Sequence, residues 1–232
     1  MKYVVIPGIG TNDKGWLHVS VLASLLGVSQ DDIIEFSHED LTEGQLADGV
    51  VAKTSKALSA LSLIGVWGVV AGLAGAALPH VWDYLGDWFD YMHSDRTYWT
   101  VIASLGRVMG SLEPDTPVTL IGHSMGGVMA LEYASRNPQI KRVITLGAPI
   151  CYKPIYSNLR LGKHLSFRWV NYYNSRDLIS RVPAPSVRGL RPQNIKIPSS
   201  YLKLSRNHDF YNYAAEVNLD LATHHLLGDP SF

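Results

Sequence analysis

The sequence predicts an α/β fold in which a mostly parallel sheet is flanked by helices. Short, nearly continuous apolar runs alternate with segments whose apolar residues recur at helical spacing. Strands that are apolar on both sides are typical of parallel sheets, because helices cover both faces of such a sheet. The chain has 232 residues, a length that suits one domain of this kind or a small core with an insertion.

The elements follow from apolar periodicity and from the residues that end it. A strand over 3–6 stops at a Pro-Gly pair, and a helix over 16–26 stops at Gly27. Further strands are predicted at 33–36, 118–121, 142–146, 167–173 and 194–197, and further helices at 97–109, 126–136 and 210–227. The sequence contains no internal repeat and no flexible linker, so we expect a single domain over residues 1–232.

Composition excludes several classes of protein. A hydrophobic fraction of 47% and six Trp residues exclude a disordered chain. Twenty Lys and Arg residues balance twenty Asp and Glu residues, which argues against a nucleic-acid partner. Cys151 is the one cysteine, and no Cys/His spacing, phosphate loop or complete dinucleotide motif is present, so we expect no metal and no cofactor.

The amino terminus runs from Met1 and Lys2 directly into the first predicted strand. This apolar run is too short for the core of a secretory signal. A cytoplasmic protein is therefore the default expectation, with membrane association as the alternative.

Residues 122–127, GHSMGG, follow a predicted strand and open a predicted helix. They match the G-x-S-x-G pattern of a nucleophile elbow, in which a sharp turn strains the serine backbone. Glycines two positions to either side of Ser124 remove Cβ atoms that would clash with the neighbouring strand and helix. The helix N-terminus would then face developing negative charge. The alternative is a tight glycine turn with an uninvolved serine.

This elbow resembles that of the α/β-hydrolases, especially lipases and esterases. Residues 7–10, PGIG, after the first strand and residues 146–149, LGAP, after the strand following the elbow support the resemblance. It covers nearly the whole chain in element order, and the chain looks like a minimal core similar to small bacterial lipases. The segment 43–95 has no counterpart in the smallest members and is predicted to be an inserted apolar helical cap.

The resemblance implies the chain order serine, acid, histidine. His208 lies after the last predicted strand and just before the last predicted helix, where the catalytic histidine of the family sits, and it is the expected base. His164 precedes a strand and so comes too early. His224 and His225 fall near the end of the last helix. The alternative for His208 is a surface histidine in a loop.

Asp177 is the expected acid, because it follows the strand over 167–173 and is the only carboxylate between Glu132 and Asp209. It would accept the N–H of the histidine and stabilise the imidazolium. Asp209 is the rival acid, although it adjoins His208. The alternative for Asp177 is a turn aspartate paired with Arg176 or Arg181.

The resemblance also implies an oxyanion hole made by two backbone N–H groups. One belongs to Met125, the residue after the nucleophile. The other belongs by position to Ile9, with Gly10 left open, since this chain has Pro7-Gly8 where the family often has His-Gly. The alternative is a plain glycine turn. His123 is interpreted as a packing residue.

Residues 57–78 contain no charged side chain. As a helix they would be about 33 Å long, enough to span a bilayer core of about 30 Å. One crossing would put strands of a single sheet on opposite sides of a membrane, so the segment must return to the side that it left. We expect a lid or an acyl-binding cap, with a buried core helix and bilayer insertion as alternatives. Residues 57–91 would provide any peripheral membrane or micelle contact.

The expected activity is hydrolysis of carboxylic esters through an acyl-enzyme on Ser124, with a small-molecule or lipid ester as partner and a preference for apolar acyl chains. Acyltransferase or thioesterase activity would use the same residues. A non-catalytic, membrane-associated binding protein on the same fold is the third interpretation. The oligomeric state is left open.

Overall fold

The structure, a computed structural model, describes residues 1–8, 17–36, 91–92, 94–177, 179–198 and 209–217. At its centre is a six-stranded sheet formed by β1 (Lys2–Ile6), β2 (Ile33–Glu35), β3 (Val118–His123), β4 (Ile140–Leu146), β5 (Arg168–Tyr173) and β6 (Gln193–Lys196). The strands lie in the order β2-β1-β3-β4-β5-β6, and every neighbouring pair is parallel. The predicted sheet is confirmed.

Helices cover both faces of this sheet. They are α1 (Val19–Leu26), α2 (Asp95–Gly110), α3 (Met125–Ala134), the short α4 (Lys153–Tyr156) and α5 over residues 210–217. Val4 and Ile6 of β1 belong to the apolar layer that contains α2 and α3. Tyr3 and Val5 belong to the opposite layer, which contains α1 and α5. This alternation follows from the two-residue period of a strand and explains why the strand segments are apolar throughout.

The helix boundaries differ from the prediction where capping decides them. The predicted start of α2 was residue 97, but the helix begins at Asp95, because the Ser94 hydroxyl accepts a hydrogen bond from the backbone N–H of Thr97 at 3.2 Å. The predicted start of α1 was residue 16, and the helix begins at Val19. Gly27 ends α1 as expected, in the left-handed conformation at φ 67°.

A polar ladder crosses the sheet at β4, β5 and β6. The Thr145 hydroxyl donates to the Asn171 side-chain oxygen at 2.8 Å, and the Asn171 amide donates to Asn194 at 2.8 Å. Asn194 also bonds both the N–H and the carbonyl of Ala184, at 2.9 and 3.0 Å. The ladder therefore ties Ala184, in the segment that follows Asp177, to the edge strand β6.

A buried carboxyl group joins α3 to the residues that follow the segment 37–90. Glu132 is 0% exposed, and it accepts hydrogen bonds from the Tyr91 hydroxyl at 2.6 Å and the Arg160 N–H at 2.5 Å. Burial is the main cause that raises the pKa of Glu132 above its ordinary value. The bond joins Tyr91 to α3 across 41 positions of the chain.

The predicted cap at 43–95 falls outside the described residues except for 91–92 and 94–95, and the apolar run at 57–78 falls wholly outside them. Among the residues that are described, no helix has the length and apolar character needed to cross a membrane.

Candidate active site

The backbone at Ser124 is strained in the way that the elbow motif predicts. Ser124 stands between β3 and α3 with φ 54° and ψ −124°, in a region that residues with a Cβ rarely adopt. Its N–H donates to the Leu146 carbonyl at 2.8 Å, and its carbonyl accepts from the Gly127 N–H at 3.1 Å. These bonds hold the turn between β3 and the start of α3. The residue is 1% exposed.

The two glycines of the motif are required by backbone contacts. A Cβ at Gly122 would collide with the carbonyl of Gly126. A Cβ at Gly126 would collide with the carbonyls of Ile6 and Pro7 at the end of β1. The elbow is therefore packed against the end of β1, and no side chain fits in either gap.

The loop after β1 reaches Ser124 at Gly8. A Cβ at this position would lie 2.9 Å from the Ser124 Cβ and 3.5 Å from its Oγ. Ile9, the oxyanion donor expected from this loop, and its alternative Gly10 lie outside the described residues. Met125, the other expected donor, is 0% exposed and is the first residue of α3, whose first N–H groups have no acceptor within the helix.

Asp177 lies four residues after the end of β5 and is 1% exposed. One carboxylate oxygen accepts from the backbone N–H of Ile179 at 2.7 Å. The other accepts from the Ser180 hydroxyl at 2.9 Å and from the Tyr213 hydroxyl at 2.7 Å. The Asp177 N–H in turn donates to the Asn174 carbonyl at 2.9 Å. The carboxylate is thus held by hydrogen bonds in a buried loop.

Helix α5 connects the acid to the elbow. Tyr213 bonds Asp177, and its ring lies 6.3 Å from the ring of His123, the residue before Ser124. Phe210 also meets His123, edge to face at 5.7 Å. The carboxyl ends of β3 and β5 lie at the same edge of the parallel sheet, with β4 between them. Ser124 and Asp177 therefore belong to one edge, which α5 bridges, and His123 does pack against α5.

His208, the expected base, lies outside the described residues. The next residue, Asp209, caps α5: its carboxylate accepts from the backbone N–H groups of Tyr211 at 3.0 Å and Asn212 at 3.2 Å. Asp209 is exposed, whereas Asp177 is buried. The rival acid therefore has a structural role at the start of the helix.

Sequence reasoning did not find Ser180 and Tyr213 as partners of Asp177. Tyr213 falls in a helical pattern, where an aromatic residue predicts core packing, and only its hydroxyl reaches the carboxylate. Burial first, and then the charge of Asp177, raise the pKa of Tyr213 far above its ordinary value, so its hydroxyl stays protonated. No local sequence signal distinguishes this tyrosine from a core residue.

Two further titratable side chains lie beside the Asp177 loop. The Cys151 thiol is 3.7 Å from the Ile179 carbonyl, and burial is the main cause that raises its pKa. Burial likewise raises the pKa of Tyr152 to about 12. Within the ranges that the structure describes, no three His, Cys, Asp or Glu side chains form a group that could hold a metal ion.

Comparison with known proteins identifies the family of the chain. Residues 77–201, more than half of the chain, match the family described as the alpha/beta hydrolase fold; this span contains Ser124 and Asp177 and ends before His208. No curated protein matches the chain. Among solved structures, the esterase domain of a Rhodothermus marinus protein is 13% identical, with 97% of this chain and 86% of that chain covered and a TM-score of 0.42. So distant a similarity decides neither fold nor activity. The extent of the family match establishes the conclusion that the chain belongs to the alpha/beta hydrolase fold family.

Proposed function

We propose that this protein is a serine hydrolase that cleaves carboxylic esters through an acyl-enzyme on Ser124. Membership of the family supports a hydrolase. The observation that carries the narrower proposal is the strained conformation of Ser124 at the N-terminus of α3, on the sheet edge that also holds the buried carboxylate of Asp177. Strain of this kind is retained in proteins at functional sites.

In the proposed mechanism the Ser124 Oγ forms a bond to the ester carbonyl carbon while its proton passes to the imidazole of His208. The tetrahedral intermediate carries its negative charge on the former carbonyl oxygen, which accepts from the N–H groups of Met125 and Ile9. The carbon–oxygen bond to the alcohol then breaks, and the imidazolium returns the proton to the leaving alcohol. Water repeats the sequence, which releases the acid and regenerates Ser124. Asp177 orients the imidazole throughout.

The assignment of His208 is supported by its neighbours in the chain. It directly precedes Asp209, which caps α5, and α5 carries the side chains that contact Asp177 and His123. His208 is thus proposed as the base because it directly precedes, in the chain, the helix that bridges the acid and the elbow.

The proposed acyl preference rests on two observations. Ser124 is 1% exposed, which suits a nucleophile that lies beneath a cover. The uncharged run at 57–78 provides apolar side chains for such a cover, and apolar surface favours acyl chains over charged substrates. We propose that residues 43–95 form a cap of this kind.

The test is labelling with a fluorophosphonate probe, read by intact-protein mass, on the wild type, Ser124→Ala and Ser111→Ala. Ser111 is exposed at the end of α2 and is the matched control. Labelling of the wild type and Ser111→Ala but not of Ser124→Ala is expected. Equal labelling of all three proteins, or none, would overturn the assignment of the nucleophile.

Substrate class is tested by hydrolysis of oxygen esters and thioesters with short and long acyl chains, with and without detergent. We expect Ser124-dependent hydrolysis of oxygen esters that increases with chain length. Faster turnover of thioesters, or acyl transfer to an added alcohol in preference to water, would replace the proposal with a thioesterase or an acyltransferase.

A further inference from the structure

We infer that Tyr213, together with Ser180, is a positioning residue that sets the orientation and charge of the Asp177 carboxylate, an inference that rests on the function proposed above. The two hydroxyl groups donate to the same carboxylate oxygen, at 2.7 and 2.9 Å, and lie 2.8 Å from each other. Tyr213 is 0% exposed and Ser180 is 1% exposed. The three side chains therefore form one buried hydrogen-bonded cluster.

The cluster restrains the carboxylate in rotation. One oxygen is held by the two hydroxyl groups, and the other is held by the backbone N–H of Ile179 at 2.7 Å. With donors on both oxygens, the carboxylate plane cannot turn about the Cβ–Cγ bond without breaking a buried bond. An acceptor with a fixed direction is what an imidazole N–H requires to be kept in one tautomer and one orientation.

The cluster also sets how strongly the carboxylate attracts a neighbouring cation. Two hydroxyl donors spread the negative charge of Asp177 and stabilise its ionised form. The Tyr213 hydroxyl keeps its proton and donates a hydrogen bond to Asp177, since burial and the charge of Asp177 hold its pKa far above its ordinary value. If one donor is removed, more of the charge faces the imidazolium, which then holds its proton to a higher pH.

Tyr213 also connects the acid to the elbow. Its ring lies 6.3 Å from His123, next to Ser124, while its hydroxyl bonds Asp177. A phenylalanine at this position would keep the ring contact and remove only the hydroxyl. Tyr213→Phe therefore separates packing on the elbow from the bond to the acid.

Other titratable and charged groups face this cluster from the neighbouring elements of the described chain. Cys151 and Tyr152, after β4, both interact with the charge of Asp177, and Arg181 interacts with Cys151. Burial raises the pKa of Cys151 and raises that of Tyr152 to about 12. His123 also faces Tyr213, so its titration must be followed separately from that of His208.

The test is an NMR titration of the imidazole signals of the full chain between about pH 5 and pH 9, a range chosen around the ordinary histidine pKa. The signals are assigned with His208→Gln and His123→Gln. The variants are Tyr213→Phe, Ser180→Ala and Asp177→Asn. Tyr133→Phe is the matched control, because Tyr133 is a buried residue of α3 whose hydroxyl accepts from the Asn137 amide at 3.1 Å.

We expect Asp177→Asn to move the His208 midpoint to lower pH, and Tyr213→Phe to move it to higher pH by about half a unit. Ser180→Ala should move it in the same direction, and it serves as the second variant if Tyr213→Phe does not fold. Tyr133→Phe should leave it unchanged. The acid limb of kcat/KM for ester hydrolysis should shift with the His208 midpoint.

Suppose that Asp177→Asn moves the His208 midpoint but that a folded Tyr213→Phe or Ser180→Ala protein keeps the wild-type midpoint. This result would overturn the positioning role and leave the proposed triad intact. A His208 midpoint that ignores Asp177→Asn would overturn both. A drop in thermal stability without any shift in the midpoint would show that Tyr213 is structural only, and would also overturn the inference.

Discussion

The backbone of Gly8 lies against the side chain of Ser124: a Cβ at position 8 would lie 2.9 Å from the Ser124 Cβ and 3.5 Å from its Oγ. The two residues are more than a hundred positions apart in the sequence, and the pairing of β1 with β3 brings them together, with Ile6 in register with Gly122. Gly8 thus lies beside the serine hydroxyl.

Gly8→Ala should therefore damage activity more than stability. The added methyl must push either the loop or Ser124 aside by several tenths of an ångström, and a misplacement of about 1 Å can reduce the rate about 10²-fold. We expect a loss of at least tenfold in the rate of fluorophosphonate labelling and in kcat/KM for an ester. Unchanged labelling kinetics in a folded Gly8→Ala protein would contradict this contact.

Gly126→Ala should destabilise the fold itself. Its Cβ would collide with the carbonyls of Ile6 and Pro7, which are backbone atoms that cannot rotate away. We expect a loss of more than about 3 kcal/mol of unfolding free energy, or failure to fold, measured by urea denaturation.

Gly106→Ala is the matched control for that substitution. Gly106 lies within α2, and nothing is within 4 Å of a Cβ placed there. Alanine in a helix interior should stabilise by about 0.5–1 kcal/mol. Equal effects of the two substitutions would mean that the elbow does not pack against the end of β1.

Glu132→Gln should change how stability depends on pH. Because burial raises the pKa of Glu132, the folded protein holds this proton more tightly than the unfolded chain, in which the group titrates near 4.5. The resulting stability is complete below pH 4.5 and is lost as pH rises through the folded-state pKa. Glutamine does not titrate. The unfolding free energy of the wild type relative to the variant should therefore fall as pH rises from about 4.5 through the folded-state pKa of Glu132.

Urea denaturation at a series of pH values measures this difference. Glu113→Gln, at an exposed glutamate, is the control and should differ from the wild type by less than about 0.5 kcal/mol at every pH. Parallel pH profiles for the wild type and Glu132→Gln would show that burial does not perturb this carboxyl group.

Asn194→Ala should loosen the segment that follows the acid. The substitution removes the bonds to both backbone groups of Ala184 and to Asn171, and a buried polar group left unpaired costs about 1–3 kcal/mol. We expect lower unfolding free energy and faster amide hydrogen exchange near Ala184 and Asp177. Lys196→Ala, at another exposed position of the same edge strand, should leave both unchanged.

The sequence by itself determined the family, the parallel sheet and the form of the elbow. These depend on local rules: apolar runs predict buried strands, and a strand-to-helix turn as sharp as the one at Ser124 needs glycines at 122 and 126. The start of α2 was predicted two residues late, because the spacing of apolar residues does not indicate a polar cap such as Ser94.

The tertiary structure alone decided which groups hold the Asp177 carboxylate. Tyr213 follows it by 36 residues, on a helix whose sequence predicts core packing. The sequence pattern around a tyrosine in an apolar helix is the same whether its hydroxyl donates to a carboxylate or to another acceptor. The packing of α5 across the carboxyl ends of β3 and β5 determines which acceptor the Tyr213 hydroxyl meets. Hydrogen bonds between distant segments depend on how the helices and strands pack together, and the residues next to Tyr213 in the sequence do not encode this packing.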